Sequence, residues 1–600
     1  PPRGPDPTPN GKRRMKTYTA LAAALLLIVP AAGAVSSYQA ILDAEEAGEI
    51  TVEQAALYLT YSVLAPDMLP VEFAGMGTEP CGTPALHEAH LRMDEVSAPI
   101  RGEMLTLADR PDYSPYPEYT FDSDGGYFKI HWTDEGPWAT DEEYCQEIAD
   151  AADVAWETEI DEMGYYAPPS DLGLGGDTNY DIYVKECGGT TLGYTTCSGE
   201  PENPATPNGR ASHIAMDRNI LNDGTKICTV SHEFQHACQM AADAAEPTWF
   251  MENCAVWMEE QVWPEIDDYQ MYCSGKNPLT RPMWDIRTSP GDLYHYGAFT
   301  WPWYMENSID VESVLEVWIN CAENPGNNML EAQSDMFTDH GKTFEEAFME
   351  YGHYRWCTAD QWYDGCGLYD EEASEWHPGP LVIGTYHYFD ELPAYDIEDM
   401  VGVASDVYEL ECYGLHWIQV ELENYQDGWV TFDFDGRDNF DWNFSFIMYN
   451  DAGGSYYKWY DVDPPDNEFS VSVEANGWDY VIFSPVAMFE SGLDMIYEGD
   501  ITYSTNAEGG VVTPQQLSLG LSSNPLTTAG AVSVDLPSAA RAELSVYDMT
   551  GRRVATLCNE ELLAGNHSFG LQDLDLDAGT YLFRLVSGRQ IATQKAVLVP

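Results

Sequence analysis

Residues 229–238 read TVSHEFQHAC and place two histidines, His232 and His236, four positions apart. On a helix this spacing brings both imidazoles to the same face, where they can bind one metal ion. Glu233 lies one residue after the first histidine, where it can act as a base toward a water activated by the metal rather than as a ligand. The other side of the helix is apolar and predicts a core-facing stripe formed by Phe234, Ala237, Cys238 and Ala241. The segment therefore predicts a helix packed on the core, with its histidines in a cleft.

Length and charge restrict the function classes. A chain of 600 residues is too long for one core and predicts three or four domains. It carries 26 Lys and Arg against 101 Asp and Glu, a formal net charge of −75. A surface this acidic repels phosphate groups, so we expect no nucleic-acid partner and no docking to an anionic membrane.

The first residues have the composition of an export signal. A basic start at residues 12–16 precedes a short apolar run at residues 20–29, and Ala-Gly-Ala at residues 32–34 has the form of a signal-peptidase site. We expect residues 1–34 to comprise an N-terminal extension and a signal peptide cleaved after Ala34. The apolar run is too short to span a bilayer, so we expect no membrane span once it is removed.

The remaining chain divides by its hydrophobic period. Residues 35–112 predict a small helical segment, a candidate propeptide, in which Thr51-x-x-Gln54 is a capping box. Residues 113–376 predict an α+β domain, with a linker-like Pro/Tyr-rich stretch at 110–119 just before and at its start. Its predicted elements are strands at 127–132, 180–184 and 211–217, a long acidic helix at 141–163, the histidine helix from about residue 229, and further helices across 245–356.

After His377 the hydrophobic period changes to two. Short apolar-polar alternations separated by Gly, Asn, Asp and Pro predict a β-sandwich domain over residues 377–505. We predict a polar linker at 506–520 and a second all-β sandwich domain at 521–600. The fold class expected is thus α+β followed by two all-β domains.

A two-histidine site needs a third protein ligand, and a second acidic pattern lies downstream of the histidines. Residues 249–260 read WFMENCAVWMEE, in which Glu252 and Glu259 are seven residues apart and share a helix face. This segment is similar to the W-L-x-E-G-x-A-x-Y-x-E segment of gluzincin zinc peptidases. The resemblance implies that Glu252 is the third zinc ligand, and we expect Glu259 to support a ligand histidine. Asn253 stands where that family usually has Gly, and the 15 residues between His236 and Glu252 are fewer than in aminopeptidase relatives.

Residues 294–299 read YHYGAF and are similar to the Y-x-K-G segment of gluzincin aminopeptidases, whose Tyr donates a hydrogen bond to the developing oxyanion. Aligned on Gly297, the resemblance implies a catalytic role for Tyr294. Tyr296 and His295 are the alternatives.

The overall order of motifs also resembles a group of bacterial secreted metalloproteases over residues 38–500. Residues 521–600 separately resemble a type IX secretion C-terminal sorting domain of the FlgD immunoglobulin-like kind, through Asn524-Pro525, the segment at 546–554 and Ala578-Gly579-Thr580-Tyr581. These resemblances imply a zincin-like catalytic domain with a helical lower subdomain. They also imply contact with a secretion machinery, passage across an outer membrane, and a secreted or cell-surface location.

The function expected is a secreted zinc endopeptidase that hydrolyses protein or peptide substrates, with one catalytic Zn²⁺ on His232, His236 and Glu252 and with Glu233 as general base. The alternative is a non-enzymatic surface adhesion or carbohydrate-binding protein whose metal site is structural. Calcium is a further candidate cofactor, because residues 121–126 and 433–441 place carboxylates at alternate positions near glycines.

Thirteen cysteines in an exported chain predict disulfides, and Cys187–Cys197 and Cys357–Cys366 are close enough in sequence to form local loops. Two alternatives stay open for Cys81. Its segment, EPCGTP at 79–84, resembles the cysteine switch of matrixin proenzymes, which implies a thiolate on the open zinc position. A disulfide with Cys145 or another thiol is the interpretation we favour.

Overall fold

The computed structural model describes residues 35–287, 293–326, 328–359 and, with several gaps, 373–599. Across these residues the chain is α+β: helices and a mixed sheet form the first part, and several β-sheets form the second. The α+β class and the change to β-structure are therefore confirmed. The predicted signal peptide lies outside the described residues.

The N-terminal unit, defined here as residues 35–109, consists of four short helices with a shared apolar core. Thr51 and Gln54 form the predicted capping box, which fixes the start of the second helix. The core of the unit includes Ile41, Leu59 and Leu86. The helices are α1 (Ser37–Glu46), α2 (Val52–Leu64), α3 (Thr83–Leu91) and α4 (Ala98–Leu107).

A five-stranded mixed sheet follows, in the order β1-β2-β3-β5-β4. The central strands β2, β3 and β5 are parallel, and the two outer strands run antiparallel to their neighbours. The three predicted strands are confirmed, whereas β1 lies partly in the predicted linker and β4 was not predicted. The strands are β1 (Tyr119–Asp122), β2 (Phe128–Trp132), β3 (Tyr180–Lys185), β4 (Gly193–Thr196) and β5 (His213–Asp217).

Helices pack against this sheet and continue beyond it. The predicted acidic helix becomes an α-helix that ends in a π-turn at Glu157–Glu162. The histidine helix begins six residues earlier than predicted, because the Asn222 side chain accepts hydrogen bonds from the amides of Gly224 and Thr225 and so caps it there. The helices are α5 (Glu142–Trp156), α6 (Asp223–Ala242), α7 (Thr248–Val262), α8 (Tyr294–Gly297), α9 (Thr300–Ser308), α10 (Glu312–Glu323), α11 (Met329–Asp339) and α12 (Phe344–Trp356).

Two five-stranded sheets then face each other, in the orders β11-β10-β13-β8-β6 and β15-β12-β9-β14-β7. Stacked rings join them: Phe432 lies 5.4 Å from Phe444 and 5.1 Å from Phe483 between ring centroids. The strands are β6 (Gly384–Tyr386), β7 (Ala394–Ile397), β8 (Ile418–Glu421), β9 (Trp429–Gly436), β10 (Trp442–Tyr449), β11 (Tyr456–Asp461), β12 (Glu468–Glu474), β13 (Tyr480–Ala487), β14 (Tyr497–Ser504) and β15 (Gly510–Val511).

The last strands form a three-stranded and a four-stranded sheet around their own apolar core. The predicted linker at 506–520 is not free of structure, since β15 pairs with β12 of the preceding sandwich and β16 pairs with β17 of the terminal unit. The strands are β16 (Ser518–Leu521), β17 (Ala531–Leu536), β18 (Ala540–Asp548), β19 (Arg553–Leu562), β20 (Gly565–Gly570), β21 (Gly579–Ser587) and β22 (Gln590–Leu598).

The expected disulfide framework does not form in most of the described chain. Eleven buried cysteines of the described chain form no disulfide, among them Cys81, Cys145, Cys187 and Cys197, so the Cys187–Cys197 loop and the Cys81–Cys145 pair are both wrong. Cys357 is disulfide-bonded, whereas Cys366 lies outside the described residues. Among the described helices, none is both long and apolar enough to cross a bilayer.

Candidate metal centre

Helix α6 is buried along almost its whole length, and its two sides contact different parts of the protein. Phe234 packs edge-on against Phe128 of β2, with ring centroids 5.2 Å apart, and also contacts Trp156 and Tyr180. The predicted apolar stripe therefore faces the sheet. This packing turns His232 and His236 toward α7, the helix that carries Glu252.

Four side chains on three elements converge at one point. They are Cys81, His232, His236 and Glu252, and their ligand atoms all lie within 4.8 Å of one another. Glu252 Oε1 is 3.0 Å from His236 Nε2, and Glu252 Oε2 is 3.3 Å from His232 Nε2. The group is buried, with Glu252 1% exposed and His236 fully covered. These residues could hold a metal ion.

The unpaired atoms of this group fit a metal. The Nε2 atoms of His232 and His236 and both carboxylate oxygens of Glu252 are buried and face one another, without a well-aligned hydrogen bond among themselves or to any other group. Buried polar atoms are nearly always hydrogen-bonded, and four such atoms facing one another are unfavourable unless a cation lies between them. Thiolate, imidazole and carboxylate are the donors that Zn²⁺ uses in tetrahedral sites.

Outer contacts orient both imidazoles. His232 Nδ1 lies 2.7 Å from Glu259 Oε1, and His236 Nδ1 lies 2.9 Å from Gln239 Oε1. When Nδ1 carries the hydrogen and donates it outward, Nε2 presents its lone pair to the centre. Glu259 thus occupies the supporting position predicted for it. Gln239, which was not predicted, is itself held by a hydrogen bond from its Nε2 to the Met251 carbonyl.

Burial and neighbouring charges shift the pKa values of Glu252 and His232 in opposite directions. Burial alone would raise the pKa of Glu252, yet the adjacent imidazoles of His236 and His232 hold the pKa of that carboxyl well below its usual range. Burial raises the pKa of Glu259 to about 7. Glu252 and Glu259, working against burial, raise the pKa of His232. The two carboxylates therefore favour positive charge on the imidazole between them.

Glu233 lies beside the four candidate ligands without being one of them, and it contacts β4. Its carboxylate Oε2 is 2.8 Å from the Thr195 hydroxyl, which also lies 2.7 Å from the Glu233 backbone carbonyl. A Cβ atom on Gly193 would lie 3.0 Å from Glu233 Cγ. Glycine at this position of β4 therefore allows the Glu233 side chain to pack closely against the strand. The base predicted from sequence is therefore held at the edge of the sheet.

Cys81 closes the side of the site that the sequence predicted to be a cleft. Its Sγ lies 3.1 Å from Glu233 Oε1, and the next hydroxyl along the chain, Thr83 Oγ1, donates to Glu233 Oε2 at 3.0 Å. The cysteine is 3% exposed and makes no disulfide. Of the two alternatives left open, the structure therefore places Cys81 with the metal ligands and not with another thiol.

The structure does not bring Tyr294 to this group. Its hydroxyl donates to the carbonyls of Trp284 and Arg281, at 3.3 and 3.4 Å. Tyr296 is the tyrosine beside the site: its ring lies 6.1 Å from that of His232, and its hydroxyl accepts a hydrogen bond from the Cys81 amide at 3.3 Å. Helix α8 is one turn long, so residues two positions apart point in different directions. Matching residues 294–297 to the Y-x-K-G segment on Gly297 takes no account of this rotation and therefore selects Tyr294 instead of Tyr296.

Asn253, the departure from the gluzincin pattern, has a structural contact of its own. Its Nδ2 donates to the His295 carbonyl at 2.8 Å and so ties α7 to α8. His295 is buried, and burial lowers its pKa to about 4. Its ring lies 4.2 Å from that of Tyr296. The asparagine thus helps to fix the turn that carries the site tyrosine.

The described residues contain no comparable cluster of ligands for calcium. Within the described residues, the Cys81 group is the one cluster of three or more His, Cys, Asp or Glu side chains with suitable spacing. Residues 121–126 lie at the turn between β1 and β2, where Asp153 accepts hydrogen bonds from Ser123 and Gly125. Part of 433–441 lies outside the described residues.

Comparison with known proteins gives no family for this chain. No protein-family model and no curated protein matches it. Three solved structures show weak likeness. Tripeptidyl peptidase 2 is 7% identical with a TM-score of 0.17, over 36% of this chain and 30% of that one. A biofilm-associated protein BSP domain is 14% identical with a TM-score of 0.13, over 29% and 28%. A Faecalibacterium prausnitzii β-glucuronidase is 9% identical with a TM-score of 0.11, over 31% and 36%. Likeness this weak shows neither a shared fold nor a shared activity.

The two glutamates of α7 differ in their contacts and so in their expected effect on metal binding. Glu252→Ala removes a ligand atom, whereas Glu259→Ala removes only the partner of His232 Nδ1. We expect Glu259→Ala to weaken metal affinity by about 10–100-fold and Glu252→Ala to weaken it further. Competition with a chromophoric zinc chelator on the full chain measures both. Glu260→Ala, on the same helix outside the group, is the control; a larger loss in Glu259→Ala than in Glu252→Ala would contradict the ligand assignment.

Proposed function

We propose that this protein is a zinc-dependent endopeptidase with a zincin-like catalytic domain. One observation supports it above all: Glu233 lies on the same helix as the two histidines, within reach of the metal group, but is not one of its four convergent ligands. A site that serves only to hold a metal has no use for such a carboxylate. The resemblance of residues 229–260 to gluzincin peptidases supports the same proposal.

The donor set fits zinc, with His232, His236 and Glu252 as ligands retained throughout the reaction. When bound there, Zn²⁺ polarises the scissile carbonyl and lowers the pKa of a water molecule. Glu233 then takes the proton of the attacking water and passes it to the leaving amine. Thr195, which contacts the Glu233 carboxylate, holds that base at a fixed position relative to β4.

Tyr296 is the best-placed donor for the oxyanion of the tetrahedral intermediate. Its phenol accepts a hydrogen bond from the backbone amide of Cys81, on the side of the metal-binding group that Cys81 covers. Its ring is held between Tyr272, with centroids 5.0 Å apart, and His232. A rigid hydroxyl aimed at this side can donate to negative charge as it develops.

The edge of the sheet supports a polypeptide as substrate. Strand β4 is an outer strand of its sheet and runs past Glu233, and its outer edge already pairs with the extended residues 80–82, so the same backbone groups could pair with an extended substrate in their place. Pairing along a strand edge binds the middle of a chain and needs no free terminus. This favours an endopeptidase over an exopeptidase.

The non-enzymatic alternative has one observation in its favour. Four protein donors form a closed set, and structural zinc sites are closed whereas catalytic sites keep an open position. The fourth donor, Cys81, comes from the N-terminal unit, while the other three lie on the adjoining helices α6 and α7. Hydrolysis therefore has to be measured with Cys81 both present and replaced.

We also propose an extracellular site of action for the enzyme. The leader at residues 12–34 and the resemblance of residues 521–600 to a type IX sorting domain support export and a secreted or cell-surface location. The excess of acidic residues suits a protein that needs solubility outside the cell.

Glu233→Gln tests the mechanism directly. The substitution keeps the size of the side chain but removes the base, so we expect hydrolysis of unfolded casein to fall by about 100-fold or more with one zinc per chain retained. The comparison is made in the Cys81→Ala chain, where the fourth position is free, and zinc is measured alongside. Glu143→Gln, an exposed glutamate of α5, is the control. Unchanged hydrolysis with full zinc would sink the mechanism.

Tyr296→Phe and Tyr294→Phe separate the two tyrosines. Loss of an oxyanion donor costs about 10²–10³ in kcat, so we expect this drop for Tyr296→Phe at unchanged zinc content. Tyr294→Phe removes hydrogen bonds to the Trp284 and Arg281 carbonyls and should cost about 1 kcal/mol of stability with little effect on kcat. Steady-state kinetics on a casein-derived peptide, with both substitutions made in the Cys81→Ala chain and thermal unfolding alongside, measures both effects. The reverse pattern would restore Tyr294 as the donor.

A further inference from the structure

We propose that Cys81 is the fourth ligand of the metal and that the N-terminal unit holds the enzyme inactive by inserting residues 79–83 into the substrate site. The inhibition rests on the proposed peptidase function, whereas the assignment of Cys81 as a ligand rests on geometry alone. Cys81 Sγ belongs to the group of donor atoms within 4.8 Å of one another. It therefore takes the position that a catalytic zinc keeps for water and substrate.

The contacts of the sulfur place it inside the site. Cys81 lies two residues before α3, and the backbone amide of Thr83 donates to Sγ at 3.3 Å. The thiol itself donates a hydrogen bond to Glu233 Oε1, with Sγ 3.1 Å from that oxygen. Burial and the carboxylates of Glu233 and Glu252 raise the pKa of the Cys81 thiol, so a bound metal ion would be needed to make this sulfur a thiolate.

Residues 80–82 occupy the edge of the sheet where a substrate would pair. The amide of Gly82 donates to the Gly193 carbonyl at 2.8 Å, and the amide of Leu192 donates to the Pro80 carbonyl at 2.7 Å. Cys81 and Gly193 form an isolated parallel bridge. This is the hydrogen-bond pattern of a peptide added to a strand edge. A Cβ on Gly82 would stand 2.8 Å from Val63 and 3.0 Å from Tyr194, so glycine permits the close approach.

A second contact blocks the base. Thr83 Oγ1 donates to Glu233 Oε2 at 3.0 Å and accepts the Thr195 amide at 2.8 Å. The carboxylate that must accept a proton from water is therefore occupied at both oxygens by the same short segment. Metal ligation by Cys81 and this hydrogen bond from Thr83 inhibit the site at two independent points.

The remaining contacts of α3 fasten the unit over the site. His87 Nε2 lies 2.8 Å from the Glu246 carbonyl, and Thr248 donates to Glu88 at 2.9 Å. Both partners lie at or just before the start of α7, which carries Glu252. The unit is thus seated on the elements that supply the metal ligands.

The junction at residues 108–110 separates the unit from the catalytic part. Asp109 is exposed, whereas Arg110 forms ion pairs with Asp171 and Glu200, and Tyr113 donates to the backbone of β2 and β3. A cut between Asp109 and Arg110 therefore removes the unit with Cys81 and leaves these anchors in place. Activation by cleavage at this point would free the metal and Glu233 together.

Cobalt substitution tests the ligand without relying on activity. A thiolate gives Co²⁺ a charge-transfer absorption in the near ultraviolet that imidazole and carboxylate ligands lack. We expect this absorption in the full chain, its loss in Cys81→Ala with cobalt retained, and its persistence in Cys145→Ala, an equally buried free thiol outside the group. Absence of the band in the full chain, or its survival in Cys81→Ala, would overturn the assignment.

Casein hydrolysis tests the latency, with circular dichroism confirming that each variant is folded. We expect hydrolysis at background in the full chain. We expect it to appear in Cys81→Ala, and to be greatest in a chain cut at a specific protease site inserted after Asp109. A full chain as active as the cut chain would overturn the inhibition. Hydrolysis by none of the forms would refute the proposed peptidase, while the cobalt absorption would still decide the ligand.

Discussion

The burial of negative charge around α6 is the constraint on which the α+β part of the structure depends. Glu233, Glu252 and Glu259 are each 5% exposed or less, and two histidines stand between them. Moving carboxylates out of water costs several kcal/mol per ion unless a cation or a full set of donors compensates. Glu233 receives its donors from β4 and the N-terminal unit, whereas Glu252 faces only the imidazoles of His232 and His236. Positive charge at this point, on the imidazoles or on a metal ion that the group could hold, compensates the buried carboxylate.

The surrounding fold supplies the rigidity that such a centre needs. Helix α6 is fixed against the sheet by Phe234 on one side and against α7 on the other, so the positions of its histidines are set by core packing. The outer partners Glu259 and Gln239 lie on these same two helices. Ligand orientation is therefore determined by two packed helices and not by loops, which keeps the donor atoms in place before any ion arrives.

The sequence predicted the parts of this site that depend on helical spacing. His232 and His236 on one face, and Glu252 with Glu259 on another, follow from periods of four and seven and were correct as positions. Gln239 follows His236 by three residues and was recognisable by the same rule. Spacing could not predict that Cys81, Thr195 and Tyr296 lie at the site. Strand pairing brings Cys81 and Thr195 there, and the one-turn helix α8 brings Tyr296. Strand β4 is four residues long, which is too short for a clear apolar-polar alternation. The sequence therefore does not predict the strand that positions Glu233.

Metal binding and seating of the N-terminal unit are thermodynamically linked if Cys81 ligates the metal. Whatever free energy the thiolate adds to metal binding must equally be added to the docking of the unit on β4. The unit also docks through an apolar core that it shares with Tyr194 and Ala215 and through hydrogen bonds to β4 and α7, so a coordination bond would add to contacts that already exist. Removal of the metal should then loosen the unit, and removal of the unit should weaken metal binding by the same factor. A coordination bond from Cys81 would thereby join the stability of a small helical unit to the occupancy of the metal-binding group.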